Sequence, residues 1–169
     1  MTDRKSIKIK HDTAGCKCPG LQKILEDREK KILFAGVGNL LRQDDGIGVH
    51  ISSNLHQGER ISSLTVEMSI ENYIGKINRM APDILVIIDA CDFKREPGYF
   101  RLALPSELQG LTTNTHNISL KKISSLFDMP VFILGIQPSC THFGEMVSRQ
   151  VNEAAILIIK ILNRFSNYN

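Results

Sequence analysis

No stretch of roughly 18 consecutive apolar residues occurs in the chain, so a membrane-spanning helix is not expected. The amino-terminal residues are polar and charged and lack the apolar centre of a secretory signal, which leaves a cytoplasmic location as the default expectation. There is no Gly-Lys-Ser/Thr phosphate loop, no Gly-x-Ser-x-Gly elbow and no His-Glu-x-x-His zinc helix. Gly36-Val37-Gly38 begins a dinucleotide fingerprint, but Leu41 stands at the third glycine position and argues against it. Cysteine is sparse: Cys16, Cys18, Cys91 and Cys140 are irregularly spaced in a chain long enough to fold without staples, so reduced thiols are expected. Excess charge is lacking too. The formal net charge of +3 comes from residues 1–31, with nine Lys/Arg against five Asp/Glu, and the remainder carries −1. The body therefore has no basic footprint for nucleic acid. No internal repeat and no low-complexity tract is present.

What the chain does have is the balance of an ordinary globular domain, 42% hydrophobic and 23% charged. Its 169 residues suit one domain, in which roughly two-thirds of the unfolded surface is buried. Residues 1–30 read as a polar leader ending in a short helix, because Pro19 suits a first turn and Leu21, Ile24, Leu25 and Arg28 follow at helical spacing. The compact domain is expected over residues 31–169, and a chain starting near Arg28 is expected to fold. Brief apolar runs at Ile32–Ala35, Leu64–Glu67, Ile84–Ile88 and Val131–Leu134 predict strands, the third buried on both faces. Tyr99–Leu104 follows a Glu-Pro-Gly turn and predicts an antiparallel strand. Helices are predicted at Ile47–Leu55, Ile70–Met80, about Ile118–Phe127, and from Val147 onward. Mostly alternating strand and helix implies an α/β fold, a single α/β/α domain with a largely parallel sheet between helices.

In such sheets ligands bind beyond the carboxyl ends of the strands. Asp44-Asp45 follow the first strand and Asp89 follows Ile84–Ile88. A single helix cap needs one carboxylate, so one of the two lacks an evident structural duty; if Asp44 is mainly the cap, its loss costs about 1 kcal/mol of stability. His116 comes after an eleven-residue connection, Pro105–Thr115, whose extended reach of roughly 35 Å returns the chain across the sheet to the same rim. Two carboxylates and an imidazole suit a divalent transition metal. His50 and His56 on a helix, and His142 in a loop without a nearby carboxylate, are read as surface residues. Cys16, Cys18 and His11 are too few for a closed metal site.

Residues 36–48, Gly-Val-Gly-Asn-Leu-Leu-Arg-Gln-Asp-Asp-Gly-Ile-Gly, resemble the opening signature of the hydrogenase maturation endopeptidases, which trim a C-terminal peptide from the [NiFe]-hydrogenase large subunit after nickel insertion. Ile87-Ile88-Asp89-Ala90, Thr115-His116-Asn117 and Leu134-Gly135-Ile136-Gln137-Pro138 continue the resemblance in order. Asp at position 45 and the Gly-Ile-Gln-Pro run look most like the formate-hydrogenlyase or energy-converting branch. The resemblance implies a five-stranded twisted sheet and a nickel-reading trio of Asp45, Asp89 and His116. It implies Asn39 and Gln137 as substrate contacts and Asp45 as the candidate catalytic carboxylate. The expected partner is the precursor large subunit, which carries the nickel itself; no nucleic-acid or membrane partner is expected. No nucleophilic Ser or Cys with a paired base is evident, so water attacks, activated by a carboxylate or by nickel. The rivals are a non-catalytic nickel chaperone, a Mg²⁺-dependent phosphatase or receiver, and a peptidyl-tRNA hydrolase-like esterase. The esterase would want Pro where Leu40 stands and a basic surface.

Overall fold

The computed structural model describes residues 18–67, 69–108, 111 and 120–166. Five strands form one sheet in the order β2-β1-β3-β5-β4, where β1 is Ile32–Val37, β2 Ile61–Glu67, β3 Ile84–Ala90, β4 Phe100–Ala103 and β5 Val131–Ile136. All neighbours are parallel except β4, which runs antiparallel to β5 at one edge. The three central strands are Ile/Leu/Val/Phe-rich runs buried almost throughout, as strands covered on both faces must be.

Strand alternation deals these side chains to two cores. Ile32, Phe34, Val86, Ile88, Leu134 and Ile136 face helices α1 (Pro19–Glu26), α2 (Ile47–Ser53) and α5 (Arg149–Ser166). Leu33, Ala35, Leu85, Ile87, Val131 and Ile133 face α3 (Ile74–Met80) and α4 (Leu120–Ser124). Helix α5 buries Val151, Ala154, Ala155, Ile158 and Leu162, a stripe at the spacing an amphipathic helix requires. None of the described helices is long and apolar enough to cross a membrane.

Three details depart from the sequence expectations. Residues Ile70–Tyr73 form a 3-10 turn ahead of α3 rather than its first turn. Strand β3 continues through Asp89 and Ala90, which pair with Gly135 and Ile136 of β5, so Asp89 lies within the strand rather than after it. Helix α1 is built into the core: Leu21 and Leu25 are fully buried with Ile32, Phe34 and Leu162, and the Cys18 Sγ accepts the Leu102 N–H at 3.2 Å. Arg60 fastens its end by donating to the carbonyls of Leu25 and Asp27, both at 3.0 Å.

Candidate active site

The strand order reverses between β1 and β3: from β1 the chain moves outward to β2, and from β3 it moves the other way, to β4 at the far edge and back to β5. Such a switch point opens a crevice at the carboxyl ends of the two strands. Asp45 and Asp89 both belong to it, one after β1 and one at the end of β3.

Two glycines bring the segments together. Gly38 follows β1 at φ +151, and a Cβ there would lie 2.1 Å from the Asp45 carbonyl oxygen, so no other residue lets the Asp44–Gly46 turn fold back over the strand. At Gly48 a Cβ would lie 2.2 Å from the Ile88 carbonyl oxygen and 2.3 Å from that of Val37. The first turn of α2 therefore sits directly on the ends of β1 and β3, beside the residue that precedes Asp89. Both aspartates are buried. Asp89 lies on the same sheet face as Ile87 and Cys91, and its Oδ1 accepts the Ala90 N–H at 2.8 Å.

Asp44 does not cap α2. Its carboxylate reaches across to the loop between β5 and α5, accepting N–H bonds from Ser139 (2.7 Å), Cys140 (3.0 Å) and Ser148 (2.6 Å) and the Ser148 hydroxyl at 2.8 Å. Backbone bonds reinforce the pairing. Gln43 N–H donates to the Gly144 carbonyl (2.7 Å), Gly144 N–H to that of Leu41 (3.0 Å) and Asp44 N–H to that of Cys140 (3.1 Å). The Arg42 Nε donates to the Thr141 carbonyl at 3.1 Å. A charged acceptor holding several donors is a strong anchor. Asp44 thus stiffens the rim on which Asp45 stands.

The two residues expected to contact substrate are occupied within the chain. Asn39 Oδ1 accepts the Leu41 N–H at 2.9 Å and shapes the turn after β1. The Gln137 side chain accepts the Arg95 N–H (3.2 Å) and donates to Asp92 Oδ1 (3.2 Å) and the Pro138 carbonyl (3.1 Å), bracing the loop after β3. His116 lies outside the described residues. The chain leading to it has nonetheless come back from the β4 edge, since the Leu111 carbonyl accepts the Asp92 N–H at 2.7 Å. Among the described residues no three His, Cys, Asp or Glu side chains group as a metal site.

Sequence reasoning missed Ser139, Cys140 and Ser148 as rim residues. The Pro, Ser, Thr and Gly of 138–148 mark a loop, but nothing local says which carboxylate it meets. His142 has a partner that sequence did not suggest: its Nδ1 lies 3.3 Å from the Cys140 Sγ. Cys91 is fully buried, and its thiol is pushed well above its ordinary value by desolvation and then by Asp89, against a smaller opposing effect of Arg101.

No protein-family model matches the chain. It is 27% identical to the hydrogenase 3 maturation protease of Escherichia coli K12 over 124 residues, covering 70% of this chain and 80% of that one. The [NiFe] hydrogenase maturation protease HycI of Thermococcus kodakarensis superposes with a TM-score of 0.72 at 28% identity, over 86% of this chain and 99% of its own. The endopeptidase HycI of Escherichia coli gives a TM-score of 0.71 at 25% identity, over 80% and 90% of the two chains. Sequence and fold together make the chain a homologue of the hydrogenase maturation proteases and an enzyme of that peptide-bond-hydrolysing class.

Proposed function

We propose that the protein removes a C-terminal peptide from the precursor of a [NiFe]-hydrogenase large subunit, reading nickel already held by that precursor through Asp45, Asp89 and His116. The observation that carries the reading is the convergence of two buried aspartates at the β1/β3 switch point. His116 is supported by its approach: Leu111 is bonded to Asp92 at the rim, and five further residues span at most roughly 17 Å. The similarity to proteins named for hydrogenase maturation supports the substrate class.

Nickel is substrate here, held by the precursor's own ligands. Two carboxylates and an imidazole are hard and intermediate donors with vacancies left over, suited to completing the coordination of an ion held elsewhere. Docking on that ion would position the scissile bond for water, with Asp45 as the carboxylate closest in role to a general base. The test uses metal-stripped enzyme with nickel-loaded and nickel-free precursor in parallel digestions. Only the loaded precursor should be cut, and Asp45→Ala, Asp89→Ala and His116→Ala should each abolish cutting in a folded protein. Comparable cutting of the nickel-free precursor would sink recognition of substrate-borne metal.

One observation favours a second reading. Cys140 and His142 form a thiol–imidazole pair, the arrangement of a cysteine nucleophile and its base. Cys140 is half-buried and open to reagents, and Cys91 is not. Under the proposed mechanism, alkylation of Cys140 by iodoacetamide and the Cys140→Ala substitution leave the cleavage chemistry in place. Loss of kcat in both would transfer the reaction to the thiol.

A further inference from the structure

Four of the large apolar side chains left in solvent belong to the two loops that Asp44 joins: Leu40 (55% exposed), Leu41 (57%), Phe143 (83%) and Met146 (83%). None of them belongs to either core cluster. Their exposure does not come from a loose loop. The Gln43–Gly144 and Gly144–Leu41 backbone bonds and the four bonds to the Asp44 carboxylate hold both segments. A rigid loop that keeps Phe and Met in water is the mark of a surface awaiting a partner. Leu41 stands four residues before Asp45 in the same turn region, so the ridge borders the proposed catalytic carboxylate.

From this geometry we infer that Leu40, Leu41, Phe143 and Met146 form an apolar ridge that seats an apolar stretch of the protein substrate next to its scissile bond. The inference rests on the cleavage role proposed for Asp45 and extends it to substrate selection. Charge points to the class of occupant. Within 39–46 and 138–148 the only Lys or Arg is Arg42, whose Nε is turned to the Thr141 carbonyl, and it is outnumbered by Asp44, Asp45 and Glu145. An anionic lipid surface or a nucleic acid would demand the reverse balance. A polypeptide passing into the crevice needs only apolar contacts here, and the unbranched Met146 can adapt to its shape. Binding energy gathered on the ridge would hold the remote part of the substrate while the rim acts on the peptide bond.

The experiment follows processing of a nickel-loaded large-subunit precursor against precursor concentration, for wild type and for the combined Leu41→Ser, Phe143→Ser and Met146→Ser variant. The variant's circular dichroism and thermal midpoint are checked first, and because all three side chains are solvent-exposed both should match wild type. KM should rise about tenfold or more while kcat stays within about twofold, the signature of lost ground-state binding. A single Phe143→Leu change should restore most of the affinity that Phe143→Ser loses. Unchanged KM in the combined variant overturns the ridge while leaving the cleavage role intact. A wild-type chain that neither binds nor cuts the precursor overturns the cleavage role, and the ridge's occupant with it. Sedimentation showing that wild type self-associates through these residues, with the variant monomeric and KM unaltered, assigns the ridge to a second copy and overturns the inference.

Discussion

Asp44 stands beside the aspartate proposed for chemistry, and its own duty is set by its partners rather than by its place in the pair. Asp44 is spent on structure: three backbone N–H groups and one hydroxyl converge on its carboxylate. Asp44→Ala should lower stability by roughly 3 kcal/mol or more, because buried donors lose their acceptor. Asp44→Asn should be intermediate, since one oxygen survives while the new NH₂ faces N–H donors. Thermal or urea unfolding of both variants measures this, and a loss near 1 kcal/mol, the size of a helix-cap effect, would return Asp44 to capping. Cys91 makes the second prediction at this scale. Its thiol, held protonated by desolvation, ionises in the unfolded chain near the ordinary value of 9.0 but not in the folded one. The folded state then binds the extra proton, so this contribution is complete below that pH and is lost as the pH rises above it. Cys91→Ala should flatten the decline in unfolding free energy between pH 9 and 10.5; an unaltered slope would remove Cys91 as its source.

Among the elements, the central strands were the most legible in sequence. Ile84–Ile88 is an unbroken aliphatic run, and a strand covered on both faces has no other way to be written. Its end was less legible, because pairing of Asp89 with Gly135 depends on β5, whose register no local pattern reveals. Helix α1 was seen from Pro19 and its apolar spacing, but its place was not. Leu21 and Leu25 look like one short amphipathic face, and only the folded sheet shows them meeting Phe34 and Leu162. A chain beginning at Arg28 should consequently be destabilised by several kcal/mol, the order expected for withdrawing two fully buried leucines from a shared core. Urea unfolding of that truncation, beside one beginning at Lys17, separates the helix from the polar residues before it. A midpoint equal to full length would make α1 an accessory.

At the scale of the whole molecule, the fold class followed from the alternation of strands and helices, and the switch point follows from the strand order. The position of Asp45 and Asp89 on one rim was readable because strand ends carry ligands in this architecture. The loop from β5 to α5 was not, since its anchor is another segment's carboxylate. That anchor has a consequence in time. The bonds from Ser139, Cys140 and Ser148 to Asp44 join residues 95 to 104 positions apart. Contacts of such long range close late, after local structure has formed, because the loop entropy must be met first. A nascent chain ending before Ser139 would already contain Asp45 and Asp89 but none of the tie that stiffens their rim, and the tie is complete only with Ser148. Under the cleavage role proposed for these two residues, hydrolytic competence would arrive only once synthesis reaches the last helix, sparing the cell a half-made protease.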